Sequence, residues 1–198
     1  MIKDLDRSRY FGASDTKFIM AENQTTLTWA RWWNTKLGSG EPMADNIYTR
    51  AGTLFEHPIL DAIDEDITKD GQIIIEGKRL RVNYDGFKEG VIYEVKTHGA
   101  NKDFRVTSDY YGQVQVEMYV YQEMSNKWFL PPFNKLYIVD YALVEDDYYT
   151  TEPVVDPSRL HKQEIEYDPK FIKKYLRRLK RLSTKLCKEL GEEFEWKE

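Results

Sequence analysis

The chain has 198 residues, of which 41% are hydrophobic and 32% are charged. This composition is that of an ordinary folded domain and argues against disorder. No apolar stretch approaches the roughly 20 residues that span a bilayer, and the N-terminal residues lack the apolar core of a signal peptide. We therefore expect no membrane association and a cytoplasmic location. The single cysteine, Cys187, excludes an intramolecular disulfide and a cysteine-only zinc or iron–sulfur site.

The formal net charge of -5 weighs against binding to nucleic acid, because phosphates must be neutralised. Carboxylates that hold a divalent cation soften this objection, since the cation restores positive charge where phosphate would lie. The charge is also uneven, with nine Lys or Arg and no Asp or Glu between Lys170 and Lys188. We interpret this basic face as solvated surface in preference to a track for DNA, and net charge alone does not decide the function.

Three helices are predicted in the first third of the chain, over residues 14–20, 25–38 and 47–67. Ser14 is expected to cap the first helix, and Thr25 or Thr26 the second, because hydroxyl side chains accept hydrogen bonds from the first turn. Pro58 lies inside the third helix, which it should kink or divide.

After about residue 70 the apolar pattern changes to a period of two, which is typical of strands. Three short strands are predicted, over residues 71–78, 78–87 and 90–98. Turns are expected at Gly77 and over Gly86–Gly90. The short second connection makes the last two strands an antiparallel hairpin.

The last third of the chain predicts a mixture of helices and strands. A helix is predicted over residues 108–124, followed by strands over 127–133 and 135–144, with Pro131 and Pro132 marking a break or an edge. A further strand over 163–168 precedes a final helix, with Asp168 as its N-cap and Pro169 in its first turn. Its apolar stripe is Ile172, Leu176, Leu179, Leu182, Leu186 and Leu190. The order predicts a single α/β domain over residues 1–198, with a mixed central sheet flanked by helices.

Polar residues that could take part in catalysis lie on the predicted hairpin. Strict alternation puts Glu94 and Lys96 on one face of their strand, and puts Asp85 on one face of the preceding strand together with Arg81 and Asn83. The hairpin brings Asp85 next to the strand of Glu94. Two carboxylates and one ammonium group are therefore expected to converge.

Such a group suits hydrolysis assisted by a metal ion. Mg²⁺ prefers carboxylate oxygens, waters and phosphate oxygens as ligands. A lysine held beside the metal, with a lowered pKa, can orient or deprotonate the attacking water. Glu-x-Lys is nevertheless common on strands as an ordinary surface charge pair, so this pattern alone is weak evidence.

Four motifs in a fixed order strengthen the case. They are Arg7-Ser-Arg-Tyr-Phe-Gly-Ala-Ser14, Arg50-Ala-Gly-Thr-Leu-Phe-Glu56, Asn83-Tyr-Asp-Gly-Phe87 with Tyr93-Glu-Val-Lys96, and the helix Tyr110-Tyr-Gly-Gln-Val-Gln-Val-Glu-Met-Tyr-Val120. The third resembles the PD-(D/E)XK nuclease signature. The ordered set is similar to that of the phage lambda exonuclease and YqaJ-like viral recombinase family. The resemblance implies a restriction-endonuclease-like core.

The resemblance also implies roles for individual residues. The implied metal ligands are Asp85, Glu94, Glu56 and the carbonyl of Val95. Lys96 would polarise the attacking water, and Gln113 would hold that water or the scissile phosphate. Ser14 and either Arg7 or Arg9 would bind the 5′-phosphate of a DNA end.

The activity implied by the resemblance is that of a DNA exonuclease, acting 5′-to-3′ on double-stranded ends in phage-type recombination. Two Mg²⁺ ions are implied, with Mn²⁺ as a substitute. A ring-shaped homotrimer, a single-strand annealing protein as partner, and the host cytoplasm as location are implied in the same way. The alternatives are a RecB-like single-strand exonuclease or an endonuclease of the same fold, and a non-catalytic DNA-binding protein.

Several other residues attract functional interpretations. Trp29, Trp32 and Trp33 could stack on unpaired bases, but we interpret them as core or interface. His57 and His98 flank the predicted site, and we expect a supporting or solvent-exposed position for both. Cys187 is expected to be an inert buried thiol.

Overall fold

The computed structural model describes residues 8–40, 46–128 and 130–197, so the predicted end-binding residue Arg7 lies outside the described residues. The helices are α1 (Thr16–Ile19), α2 (Leu27–Lys36), α3 (Ile47–Ile63), α4 (Ser108–Trp128) and α5 (Pro169–Leu190). The strands are β1 (Thr68–Ile75), β2 (Leu80–Lys88), β3 (Val91–Gly99), β4 (Lys135–Leu143) and β5 (Leu160–Ile165). Within the described residues, no helix combines the length and apolarity that a membrane span requires.

The strands form one five-stranded sheet in the order β1-β2-β3-β4-β5. β3 and β4 pair in parallel, whereas the other neighbouring pairs are antiparallel. The parallel pair requires a crossover, and α4 supplies it. The predicted α/β fold, with a mixed central sheet flanked by helices, is confirmed.

Each face of the sheet is covered by a helix. Ala51, Phe55 and Ile59 of α3 are buried in one apolar cluster with residues of β3 and β4, namely Val95, Val139, Tyr141 and Leu143. On the opposite face, α4 packs in the larger cluster, which also contains the buried apolar residues of α2 and α5. We call these the α3 layer and the α4 layer.

The start of the chain differs from the sequence prediction. Ser14 does not cap a helix; it is exposed within a 3₁₀ turn over Ala13–Asp15, and α1 begins after that turn. Thr26 caps α2 as predicted, because its side chain accepts a hydrogen bond from the N–H of Trp29 at 3.2 Å.

The interpretation of the three tryptophans as core is confirmed, since Trp29, Trp32 and Trp33 are buried. Their indole N–H groups are used inside the protein. For example, Trp32 donates to Asp15 Oδ1 at 2.7 Å and Trp33 donates to Glu189 Oε2 at 2.7 Å. Cys187 is buried, also as predicted.

Pro58 does not divide α3, which continues on both sides of it and ends at Ile63, earlier than predicted. The predicted strand over residues 127–133 is wrong, because α4 continues to Trp128 and residues 130–133 belong to no strand. The two prolines there lack the N–H groups that a sheet ladder needs.

The end of the chain follows its prediction more closely. β5 lies earlier than the predicted strand over 163–168. The Asp168 cap is confirmed, since its Oδ1 accepts hydrogen bonds from the N–H groups of Lys170 and Phe171 at 2.9 and 3.0 Å.

Candidate functional site

The candidate site lies where β2 and β3 separate. The two strands pair over Gly86–Lys88 and Val91–Tyr93, at their hairpin end. β3 continues beyond this ladder and pairs with β4 along its whole length, from Val91 to Gly99. The edge of β3 that faces β2 is therefore open from Glu94 onward to other hydrogen-bonding groups.

The alternation of side chains along β2 breaks at Asp85. Tyr84 and Phe87 are three positions apart, so regular alternation would place them on opposite faces of the sheet. Both nevertheless contact Tyr121 of α4, with ring centroids 6.2 and 6.4 Å from it. Gly86 faces the other way, toward side chains of the α3 layer. Asp85 therefore lies where the side chains of β2 stop alternating regularly between the two faces of the sheet.

Asp85 occupies the gap between the separated strands. Its Oδ2 accepts a hydrogen bond at 2.8 Å from the backbone N–H of Val95, the residue between Glu94 and Lys96. The N–H and C=O of one strand residue point to the same edge, so the Val95 carbonyl faces this gap as well.

The expected convergence of Asp85 with Glu94 and Lys96 therefore occurs by a route that the sequence prediction did not contain. Tyr84 packs on the same layer as Ile92, so strict alternation with Arg81 and Asn83 would have placed Asp85 on the face opposite Glu94. The separation of β2 from β3 lets Asp85 reach the edge of β3 instead.

Glu94, Lys96 and Gln113 form a closed hydrogen-bonded group. Lys96 Nζ donates to Glu94 Oε1 at 2.5 Å and to Gln113 Oε1 at 3.3 Å. Gln113 Nε2, from α4, donates to the same Glu94 oxygen at 2.5 Å. The Lys96 Nζ also lies 5.0 Å from the ring centroid of Tyr110.

Glu56 approaches from the α3 layer. Burial raises its pKa, and the charges of Glu94 and Asp70 raise it further, whereas His57 and Lys96 oppose the shift. The ligand atoms of Glu56, His57 and Asp70 all lie within 4.8 Å of one another, and His57 Nε2 is 3.2 Å from Asp70 Oδ2. Asp70 was not a sequence candidate.

The pKa values record a surplus of negative charge. Burial and the neighbouring charges of Glu94 and Glu56 hold the pKa of Asp85 well above its ordinary value. Burial acts to lower the pKa of Lys96, but Glu94, through its charge and its hydrogen bond, together with Asp85, raises it instead. The lowered pKa expected for Lys96 is thus not found among the protein groups, because the carboxylates outweigh the burial.

The donor set suits a hard divalent cation. The carboxylates of Asp85 and Glu94 and the carbonyl of Val95 are oxygen ligands of the kind that Mg²⁺ takes, and a cation would offset the surplus charge around Asp85. Among the described residues, however, the three side chains whose ligand atoms fall within 4.8 Å of one another are Glu56, His57 and Asp70. Glu56 therefore links the Asp85 gap to a neighbouring group of potential ligands.

Besides Asp70, sequence reasoning missed two further acidic residues near the site. Glu117 of α4 is buried and accepts a hydrogen bond from Gln113 Nε2 at 2.9 Å. Asp140 of β4 lies beside Lys96 in the sheet register, and its Oδ2 is 3.2 Å from His98 Nε2. The four-residue spacing from Gln113 could have indicated Glu117. Asp140 depends on the parallel pairing of β3 with β4, which no local pattern reveals.

Of the residues predicted to bind a DNA end, the structure describes Arg9 and Ser14, and neither forms a hydrogen bond or an ion pair with Asp85. The guanidinium of Arg9 lies 3.5 Å from Glu192 Oε1, and its side chain is 62% exposed. Phe11, two residues later, bridges to Leu80 at the start of β2, whereas Asp85 lies near the other end of that strand. Ser14 lies on the exposed side of the 3₁₀ turn that packs against α4.

Comparison with known proteins shows likeness only at the level of structure. No family model matches the chain, and no curated protein matches it significantly. An alkaline exonuclease from Laribacter hongkongensis is similar with a TM-score of 0.64 and 17% sequence identity, over 92% of this chain and 90% of that chain. The structure of that exonuclease in complex with dAMP gives a TM-score of 0.63 at 17% identity over the same shares of the two chains.

A phage-related exonuclease from Haemophilus somnus 129PT is similar with a TM-score of 0.66 and 13% sequence identity, over 92% of this chain and 95% of that chain. The match runs over nearly the full length of both chains in each case. The chain therefore has the fold of these alkaline and phage-related exonucleases.

Proposed function

We propose that the chain is a magnesium-dependent deoxyribonuclease that removes nucleotides from the ends of DNA, and that it belongs with the phage lambda exonuclease and YqaJ-like family. The observation that carries the proposal is the hydrogen-bonded group of Glu94, Lys96 and Gln113 beside Asp85, at the strand separation of a chain with an exonuclease fold. One structural neighbour holds dAMP, a deoxynucleotide of the kind that an exonuclease releases.

The residues divide the work of phosphodiester hydrolysis. Asp85, Glu94, Glu56 and the Val95 carbonyl would hold the metal, which we propose is a pair of Mg²⁺ ions replaceable by Mn²⁺. Bound there, Mg²⁺ would lower the pKa of water and neutralise charge on the phosphate. Lys96, held beside Glu94 by a hydrogen bond, would donate hydrogen bonds from its ammonium group to the attacking water or to a phosphate oxygen. Gln113 holds the Lys96 ammonium in that position.

We propose a 5′-to-3′ direction on double-stranded ends, in phage-type recombination in the cytoplasm of a host cell. Ser14 and either Arg7 or Arg9 would bind the 5′-phosphate, and Arg9 would then have to exchange its contact with Glu192 for the DNA end. A homotrimer and a single-strand annealing partner belong to the same proposal. They rest on the resemblance of the motifs.

Linear duplex DNA labelled at either its 5′ or its 3′ end, incubated with Mg²⁺, tests the activity and its direction. We expect early release of mononucleotide from the 5′ label and no cleavage of a closed circle. Cutting of the closed circle would indicate the endonuclease alternative. Digestion confined to single strands would indicate the RecB-like alternative. Faster digestion of 5′-phosphorylated than of 5′-hydroxyl duplex is expected if the end pocket exists, and equal rates would remove it.

Lys96→Ala separates catalysis from binding. Loss of a positioned proton donor should lower turnover by about 10²- to 10⁴-fold, while the dissociation constant for duplex DNA changes little. Lys102→Ala, an exposed lysine beyond β3, is the control and should keep full activity. Weakened binding with normal turnover would contradict the role given to Lys96.

Calorimetric titration with Mn²⁺ addresses the non-catalytic alternative. Wild type should bind Mn²⁺, and Asp85→Ala should lose that binding, because Asp85 supplies a central carboxylate. A protein that binds DNA but shows no carboxylate-dependent binding of Mn²⁺ would be a DNA-binding protein without nuclease activity.

A further inference from the structure

Glu117 is a buried acidic residue whose presence the apolar core does not explain. It lies on the inner side of α4 with no exposed surface, and its neighbours Val114, Val116, Met118 and Val120 are likewise fully buried. A carboxyl group in such a place is costly unless hydrogen bonds offset its loss of hydration. Its Oε2 has no hydrogen-bond partner among the described residues. Burial and the charge of Glu94 raise the pKa of Glu117 well above its ordinary value, and the charge of Lys96 opposes that shift.

The other carboxyl oxygen of Glu117 is used by the candidate site. Gln113, one helical turn earlier, donates from Nε2 to Glu117 Oε1 at 2.9 Å and to Glu94 Oε1 at 2.5 Å. Both N–H bonds of the Gln113 amide are thus directed at carboxylates. The amide oxygen is turned to Lys96 Nζ, from which it accepts a hydrogen bond at 3.3 Å.

The reverse orientation of this amide would be unfavourable. A flipped Gln113 would present its NH₂ group to the Lys96 ammonium, which has only donors, and its oxygen to two carboxylates, which are acceptors when ionised. Glu94 accepts a hydrogen bond from one N–H of the Gln113 amide. Glu117 accepts the hydrogen bond from the other N–H. The backbone of Glu117 is also anchored, since Tyr84 Oη donates to its carbonyl at 2.9 Å.

We propose that Glu117 is a positioning residue, which orients the Gln113 side-chain amide so that its oxygen holds Lys96 and its nitrogen holds Glu94. This proposal rests on the proposed nuclease function for its effect on catalysis, but the orientation of the amide can be measured without any substrate. Glu117 acts through Gln113 and touches no reacting atom.

Two substitutions separate this role from a purely structural one. Glu117→Leu removes the acceptor and fills the space with an apolar group, so folding should be kept and the melting temperature should not fall. Glu117→Gln retains an oxygen that can accept from Gln113. We expect Glu117→Leu to lower kcat by about 10- to 100-fold, the usual effect of losing such a supporting contact, with KM for duplex DNA unchanged. Glu117→Gln should recover most of the activity.

A double-mutant cycle tests whether the effect passes through Gln113. If it does, Glu117→Leu should cause no further loss of kcat in a Gln113→Ala background. Gln115→Leu is the matched control, because Gln115 is equally buried on α4 but is bonded to Glu166 and Asp168. It should lower the melting temperature and leave kcat unchanged.

The decisive readout is the ¹H–¹⁵N signal of the Gln113 side-chain amide, assigned by its absence in Gln113→Ala. Wild type and Glu117→Gln should show two N–H protons that exchange slowly with D₂O, and Glu117→Leu should lose protection at one of them. An unchanged Gln113 signal in Glu117→Leu, or additive losses of kcat in the cycle, would overturn the proposal. If the wild-type protein has a protected Gln113 amide but no nuclease activity, the proposed function is wrong. The orientation of Gln113 by Glu117 would still be established.

Discussion

Asp85 is subject to two opposing effects, burial beside other carboxylates, which disfavours its ionised form, and a backbone hydrogen bond, which favours that form. Its bond to the Val95 N–H favours the ionised carboxylate, yet burial and the charges of Glu94 and Glu56 raise its pKa well above the ordinary value. Lys96 compensates only part of this charge, because it is bonded directly to Glu94. This surplus of negative charge is what the proposed cation would offset.

Asp85→Asn should therefore stabilise the protein when metal is removed. The amide oxygen of Asn can still accept from the Val95 N–H, while the charge is gone. We expect a gain of about 1 kcal/mol, which is a rise in melting temperature of about 2–4 °C for a chain of this length. Thermal unfolding in EDTA measures it. A lower melting temperature for Asp85→Asn would show that the ionised carboxylate supports the fold.

Part of the candidate site could be predicted at the scale of residues. Glu94 and Lys96 could be placed on one side of a strand because β3 alternates regularly, and the structure places them there. Their chemical roles remain predictions. The approach of Gln113 came from the resemblance. Asp140 could not be found because it depends on the pairing of β3 with β4, and Asp70 could not be found because its neighbours Glu56 and His57 belong to α3.

At the scale of elements, Gly86 explains how the alternation of side chains along β2 can break beside Asp85. A Cβ atom added at Gly86 would lie 2.7 Å from Ile67 Cγ2 and 2.9 Å from Leu60 Cδ2. Both neighbours are buried and have little room to move. Only a residue without a side chain lets the α3 layer approach β2 this closely.

Gly86→Ala should consequently cost about 1–3 kcal/mol, the usual effect of overfilling a packed core. It should also weaken metal binding, because the strand next to Asp85 must shift. Gly12→Ala is the matched control, since an added Cβ there meets no atom closer than 3.6 Å, and it should change stability by less than about 0.5 kcal/mol. Equal stability of the two variants, measured by urea unfolding, would contradict this account of β2.

Helices and strands were predicted correctly where the sequence signal for them was local. α5 was predicted with its cap because Asp168 and Pro169 mark its start and an apolar stripe marks its length. The strand predicted over residues 127–133 failed because α4 continues to Trp128, and Leu130 and Phe133 pack on the α4 layer without belonging to a strand. The break in alternation at Asp85 depends on contacts with the α3 layer, so periodicity could not reveal it.

At the scale of the whole molecule, the candidate site joins two separately packed layers. Glu56 comes from α3, and Gln113 comes from α4 on the opposite face of the sheet. The opening between β2 and β3 is where side chains from both layers can reach the same region. A cation held by Asp85, Glu94 and Glu56 would therefore connect the layers as well as serve the chemistry.

Mn²⁺ or Mg²⁺ should therefore raise the stability of the entire domain. An ion that binds only the folded protein contributes about 2.7 kcal/mol at a concentration 100 times its dissociation constant, or about 5–10 °C in melting temperature. Differential scanning fluorimetry with added metal and with EDTA measures the shift, and Asp85→Ala should abolish it. A shift that persists in Asp85→Ala would place the ion elsewhere, for example at Glu56, His57 and Asp70.

The hydrogen bond from Val95 to Asp85 gives this protein an internal reporter. Most amide protons of β3 are protected by a neighbouring strand, but this one is protected by a single carboxylate. Its rate of exchange with deuterium therefore measures how firmly Asp85 is held. Following that one proton would reveal any movement of the carboxylate when ions or DNA are added.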